Sequence, residues 1–150
     1  MTSSKRSRVA NPTAVRRLKV VGEVDREIVI TIGKPRPDPK GDWRCSFLVE
    51  GVPNERRRFA RGIDPLQALQ LAIESAKHTV KATGLVCTWL DGEPGDIGIP
   101  RTVPSYPGSG FSQRIERYID RELEKFARDA KRSSGGQASA TNLTGIKQRE

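Results

Sequence analysis

The sequence predicts an α+β domain: an antiparallel sheet of four to five strands with one helix packed across it, plus a second, C-terminal amphipathic helix. Three observations predict it. Apolar residues alternate with a period of two through "RRLKVVGEVDREIVITIGKP" and again through "WRCSFLVEG", the pattern of half-buried strands. From "GIDPLQALQLAI" onward the spacing changes to three and four, as on one face of a helix. After a Gly- and Pro-rich stretch, "FSQRIERYIDRELEKFARDAKR" resumes that helical spacing.

Taken in order, the basic, acid-free start "MTSSKRSRVANP" has no apolar face to bury and reads as a disordered basic arm over residues 1–13. Leu18 and Val20 then alternate with charged residues, and Ile28, Ile30 and Ile32 alternate with Val29 and Thr31. The short polar "GEVDRE" between them predicts an antiparallel hairpin. Three prolines in "KPRPDPKGD" remove backbone donors, so the sheet is expected to break there. In the third strand Trp43, Cys45, Phe47 and Val49 share one face, and Arg44, Ser46 and Leu48 the other. "ERRRFARG" reads as a fourth strand, and "LVCTWL" as a short β-prone run ended by Asp91-Gly92.

The first helix is punctuated at its start. Asp64 is placed as N-cap, Pro65 as the first helical residue, and Gln67 where a capping box needs it. Leu66, Leu69, Ile73, Ala76 and Val80, with Ala68 and Ala72 alongside, form the stripe expected to face the core. Gln70, Glu74, Lys77, His78 and Lys81 are expected on the polar side, and Gly84 as the C-terminal cap. The loop "EPGDIGIPRTVPSYPGSG" is too long for a bare connection. It leads to a helix over 111–132, whose apolar residues are Phe111, Ile115, Ile119, Leu123, Phe126 and Ala130. "SSGGQASATNLTGIKQRE" has no buried-face pattern, so 133–150 reads as a disordered tail. The folded domain is expected over 14–132.

At 150 residues the chain suits one domain with flanking segments. It has no apolar run long enough to span a bilayer and no apolar signal region, so a cytoplasmic setting is expected. The net charge of +9 is unevenly placed: residues 1–40 hold ten basic and four acidic side chains, whereas 65–110 hold three and four.

With these residues in place, the sequence resembles a family of small uncharacterised bacterial proteins. The likeness rests on Trp43-x-Cys45, on Gly62-Ile63-Asp64-x-x-Gln67-Ala68-Leu69-x-Leu71-Ala72, on Trp89, and on Gly95-Asp96-x-Gly98-x-Pro100. It implies a bacterial α+β domain of no established activity. The element order is also distantly similar to HicB antitoxins, whose small sheet-and-helix domain binds a toxin. The DNA-binding module of that family is replaced here by a charged amphipathic helix.

Several constellations could carry chemistry. Asp91, Glu93 and Asp96 sit in a loop of the kind where carboxylates hold Mg²⁺ or transfer protons, yet their Gly and Pro neighbours mark them equally as turn formers. Cys45, His78 and Cys87 have no metal-ligand spacing and read as two packed thiols and a surface imidazole. Trp43 and Trp89 could line a ligand pocket, but read first as core. No nucleophile elbow or phosphate loop is present.

The expectation is therefore a non-catalytic protein with no cofactor and no metal, acting through protein contacts, whose C-terminal helix docks either on a second copy, as a homodimer, or on its own domain, the homodimer being slightly favoured. The alternatives are a nucleic-acid-binding module, using the basic arm with Arg16, Arg17 and Arg56, Arg57, Arg58, and an enzyme using the loop acids. Arginine suits phosphate through its planar donor fork. Charges on an edge strand also simply block pairing with another chain.

Overall fold

The computed structural model describes residues 8–102 and 108–137. Residues 1–7 of the expected arm and 138–150 of the expected tail lie outside the described residues. The chain divides into two compact units, one ending at Arg101 and the other starting at Thr102.

The first unit is an antiparallel sheet with a helix on one face. Its strands are β1 (Pro12–Val20), β2 (Glu27–Gly33), β3 (Arg36–Pro37), β4 (Trp43–Glu50), β5 (Arg58–Gly62) and β6 (Cys87–Thr88), with helix α1 (Pro65–Ala82) between the last two. β1 and β2 form the expected hairpin, with Leu18 opposite Ile28 and Arg16 opposite Ile30. β2 pairs with β4 from Val29 opposite Glu50 to Ile32 opposite Phe47. β4 in turn pairs with β5 from Trp43 opposite Gly62 to Phe47 opposite Arg58, and β6 adds to the outer edge of β1.

Four boundaries differ from the sequence reading. β1 begins two residues early, and Val9 ahead of it is already buried. The proline-rich stretch does not end the sheet: Arg36 and Pro37 pair with Arg44 and Trp43, continuing the line of β2, because an edge position tolerates a missing donor. Arg56 and Arg57 precede β5 rather than belonging to it. "LVCTWL" contributes only Cys87 and Thr88, because a turn follows with Leu90 and Asp91 both at positive φ and the Gly92 N–H donating to the Trp89 carbonyl at 3.0 Å.

The core lies between the sheet and α1. Leu18, Ile28, Cys45, Val80 and Cys87 are fully buried, and Ile30, Phe47 and Val49 join them. The strand alternation places Cys45, Phe47 and Val49 inward, as expected, but Leu48 on the opposite face is also buried.

Helix α1 starts as its sequence dictates. Asp64 Oδ1 accepts from the Gln67 N–H at 2.7 Å, and Gln67 Oε1 accepts from the Ile63 N–H at 2.8 Å, so each end of the box satisfies a backbone donor. The buried stripe, however, is rotated from the expected one. Ala68, Ala72, Ala76 and Val80 face the sheet, Leu69 and Ile73 are half-buried, and Leu66 is 63% exposed. Lys77, expected on the polar side, is buried; its long stem can cover apolar surface while the ammonium stays at the rim. The small side chains bring the helix close to β4 and β5. A Cβ at Gly62 would strike the backbone of Gln67 and Ala68, so glycine is required there by proximity.

The second unit contains α2 (Ser109–Gln137), which includes the expected 111–132 and runs into the segment expected as tail. No helix among the described residues is long and apolar enough to cross a membrane.

Candidate functional site

The most strongly patterned residues serve the architecture. Arg16, half-buried on the inner face of β1, donates to the carbonyls of Ile97 (3.0 Å) and Gly98. Its guanidinium also lies over the Trp89 ring, 4.1 Å from the centroid. A Cβ at Gly98 would collide with both partners. Asp96 shapes the same loop: its Oδ1 accepts from the Gly98 N–H at 2.8 Å, and its carbonyl accepts from the Trp89 N–H at 3.0 Å. Trp89 and Gly-Asp-x-Gly are thus one clamp that folds the 89–100 loop over β1, where α1 does not reach. A cation over an indole contributes about 1–2 kcal/mol when partly desolvated.

Two of the three loop acids, Asp91 and Asp96, have partners that shape the loop. Asp91 forms an ion pair with Lys19 at 2.7 Å, a hydrogen bond and charge that raise the lysine's pKa. The Glu93 carbonyl accepts from the Asp96 N–H at 2.9 Å. Among the described residues no three His, Cys, Asp or Glu side chains stand together as a metal site. Cys45 and Cys87 are free thiols; Cys45 lies 3.2 Å from the Gly33 carbonyl. Burial raises the pKa of both, with Arg26 opposing the rise at Cys87. His78 is exposed on α1.

The five candidate arginines are not brought together in one place. Arg17 pairs with Glu27 at 3.2 Å on the exposed face of the hairpin, and Arg16 is engaged by the clamp. Arg58 points toward α1, its Nη1 3.4 Å from Thr79 Oγ1, and Arg56 lines a small crevice with it. Arg57 points the other way, to Phe59.

That outward direction leads to a site which the run of three arginines only partly signals. Antiparallel register sets Arg36 opposite Arg44, and Arg44 opposite Arg61, so three arginines occupy one rung across β3, β4 and β5. Asp38, its carboxylate 3% exposed, reaches Arg61 Nε at 3.2 Å. The Lys40 N–H and that guanidinium, with Arg44 nearby, hold the Asp38 pKa below its usual value. Beside the rung is a hollow of about 160 Å³ lined by Ala10, Lys34, Arg36, Arg44, Ser46, Arg57 and Phe59. A second, apolar cleft of about 340 Å³ lies on the inner side between Leu69 and Ile73 of α1 and Gly98–Pro100, floored by Ile30 and Ile32. Neither tryptophan lines either space.

A family model described as a domain of unknown function (DUF6968) matches residues 14–101, more than half of the chain. The chain belongs to the DUF6968 family. No curated protein and no solved structure matches it. The DUF6968 region coincides with the sheet, α1 and the clamp, and α2 lies beyond it. On α2, Tyr118, Ile119, Leu123 and Phe126 are exposed, Leu123 by 62% and Phe126 by 74%. Ile119, Leu123 and Phe126 recur at intervals of four and three and so share a side of the helix.

Proposed function

We propose that the protein is a non-catalytic binding module that acts through protein contacts, and that α2 makes the first of them by pairing with α2 of a second copy. The observation that carries this reading is the exposed stripe Ile119, Leu123 and Phe126 on a helix of 29 residues. Burying such side chains contributes about 1.5–3 kcal/mol each, which gives the stripe a strong tendency to associate. The charge pattern favours a copy of itself: between 111 and 132 seven cations are interspersed with five acids, so two such helices can match opposite signs instead of repelling. The distant likeness of element order to HicB antitoxins, which bind a protein, is in keeping with this role. A bacterial cytoplasm would keep Cys45 and Cys87 reduced.

Light scattering on the full chain, on a chain ending at Gly110, and on Leu123→Glu tests the reading. A dimer that becomes a folded monomer in both variants supports it. A full chain that is monomeric at every accessible concentration overturns it.

A further inference from the structure

We propose that the hollow beside the arginine rung is a phosphate site, which takes a nucleotide phosphate with its ring laid against Phe59. The rung is the starting point. Like charges directly opposite one another in a sheet are destabilising, yet Arg36, Arg44 and Arg61 stand in register on neighbouring strands. Asp38 offsets Arg61, but among the described residues Lys34, Arg36, Arg44 and Arg57 make no ion pair with a carboxylate. An anion seated in the hollow would turn this repulsion into a set of charge-assisted hydrogen bonds.

The geometry fits a phosphate on one side and a planar ring on the other. Arg44 and Arg57 lie 5.2 and 5.4 Å from the Phe59 centroid, so two guanidinium groups stand against the ring that, with them, lines the hollow. Ser46, opposite Phe59 in the register, adds a hydroxyl to the lining. Phe59 itself is 47% exposed, and an aromatic ring beside cations is the usual platform for an unstacked base. The N-terminal segment is anchored at the same place: Arg57 donates to the Arg8 carbonyl at 3.4 Å and Val9 packs beside Gly33. The phosphate could belong to a free mononucleotide or to a single strand, and the chemistry of the hollow is the same for both.

The test uses the full chain and the fluorescence anisotropy of a short labelled oligothymidylate, with thymidine monophosphate as competitor. Arg36→Gln and Arg44→Gln should each weaken binding about tenfold, the worth of one charge-assisted hydrogen bond, and flatten the salt dependence. Phe59→Leu should weaken it several-fold by removing the stack. Arg114→Gln on α2 is the control and should change it less than twofold. Competition by the monophosphate at similar affinity identifies a nucleotide site, and binding of the oligomer alone identifies a strand site; either supports the proposal. Relief of the like-charge rung should leave the melting temperature of Arg36→Gln no lower than wild type. If that variant unfolds, Arg57→Gln, outside any strand, takes over the binding test and should also weaken binding about tenfold. Absence of wild-type binding to both ligands overturns the proposal, as does equal loss in the Arg114 control. A Phe59→Leu variant that binds like wild type overturns the nucleotide assignment.

Discussion

The two helices of this protein invert the usual relation between apolar side chains and burial. α1 turns Ala68, Ala72 and Ala76 to the sheet and leaves Leu66 and Leu71 exposed, whereas α2 carries its larger residues, Leu123 and Phe126, into solvent. The difference teaches that an amphipathic pattern states a capacity for burial and not its partner. α1 is committed because Gly62 and three alanines let its backbone approach β4 and β5 closely. α2 has bulk to bury, and among the described residues Ile119, Leu123 and Phe126 remain exposed.

The sharpest way to break this comparison is to delete equal side chains from the two regions. Leu18→Ala, in the fully buried β1 core, should cost about 2–5 kcal/mol in a urea titration. Leu123→Ala should change the unfolding free energy of the DUF6968 domain by less than about 0.5 kcal/mol, as exposed positions do. Similar losses at both sites would mean that α2 is part of the same folding unit.

Overpacking sharpens the claim about close approach. Ala72→Leu adds bulk where the helix meets the sheet and should cost about 1–3 kcal/mol, although leucine is a good helix former. Stabilisation by that substitution in a thermal melt would show slack between α1 and the strands.

A smaller effect is expected at the end of α1. Asp64→Ala removes the acceptor of the 2.7 Å bond from the Gln67 N–H and should lower stability by about 1 kcal/mol. The subtlest prediction concerns pH. Burial raises the Cys45 thiol above its ordinary value of 9.0, so the unfolded thiol ionises first. Its contribution is complete below pH 9 and fades as pH rises through the raised folded value. Denaturant titrations from about pH 8 to 10 should therefore decline more steeply for wild type than for Cys45→Ala. Parallel slopes would contradict the assigned direction.

The sequence by itself determined the α+β class, the β1–β2 hairpin, the inward face of β4 and the start of α1. Each rests on neighbours within a few residues: alternation for the strands, and Asp64, Pro65 and Gln67 for the cap. What only the tertiary structure decided depends on residues far apart in the chain. The α1 stripe rotated because contact with the sheet favours small side chains at the closest approach, a preference that hydropathy does not encode. The placement of Arg16, against Trp89 and the carbonyls of Ile97 and Gly98 some eighty residues away, has no signal in the neighbouring sequence. Of the cations around the hollow only Arg57 stands out in the sequence, within a run of three; the rung itself is not legible there, because Arg36, Arg44 and Arg61 meet through strand register, and register is fixed by the pairing of whole strands around a shared core.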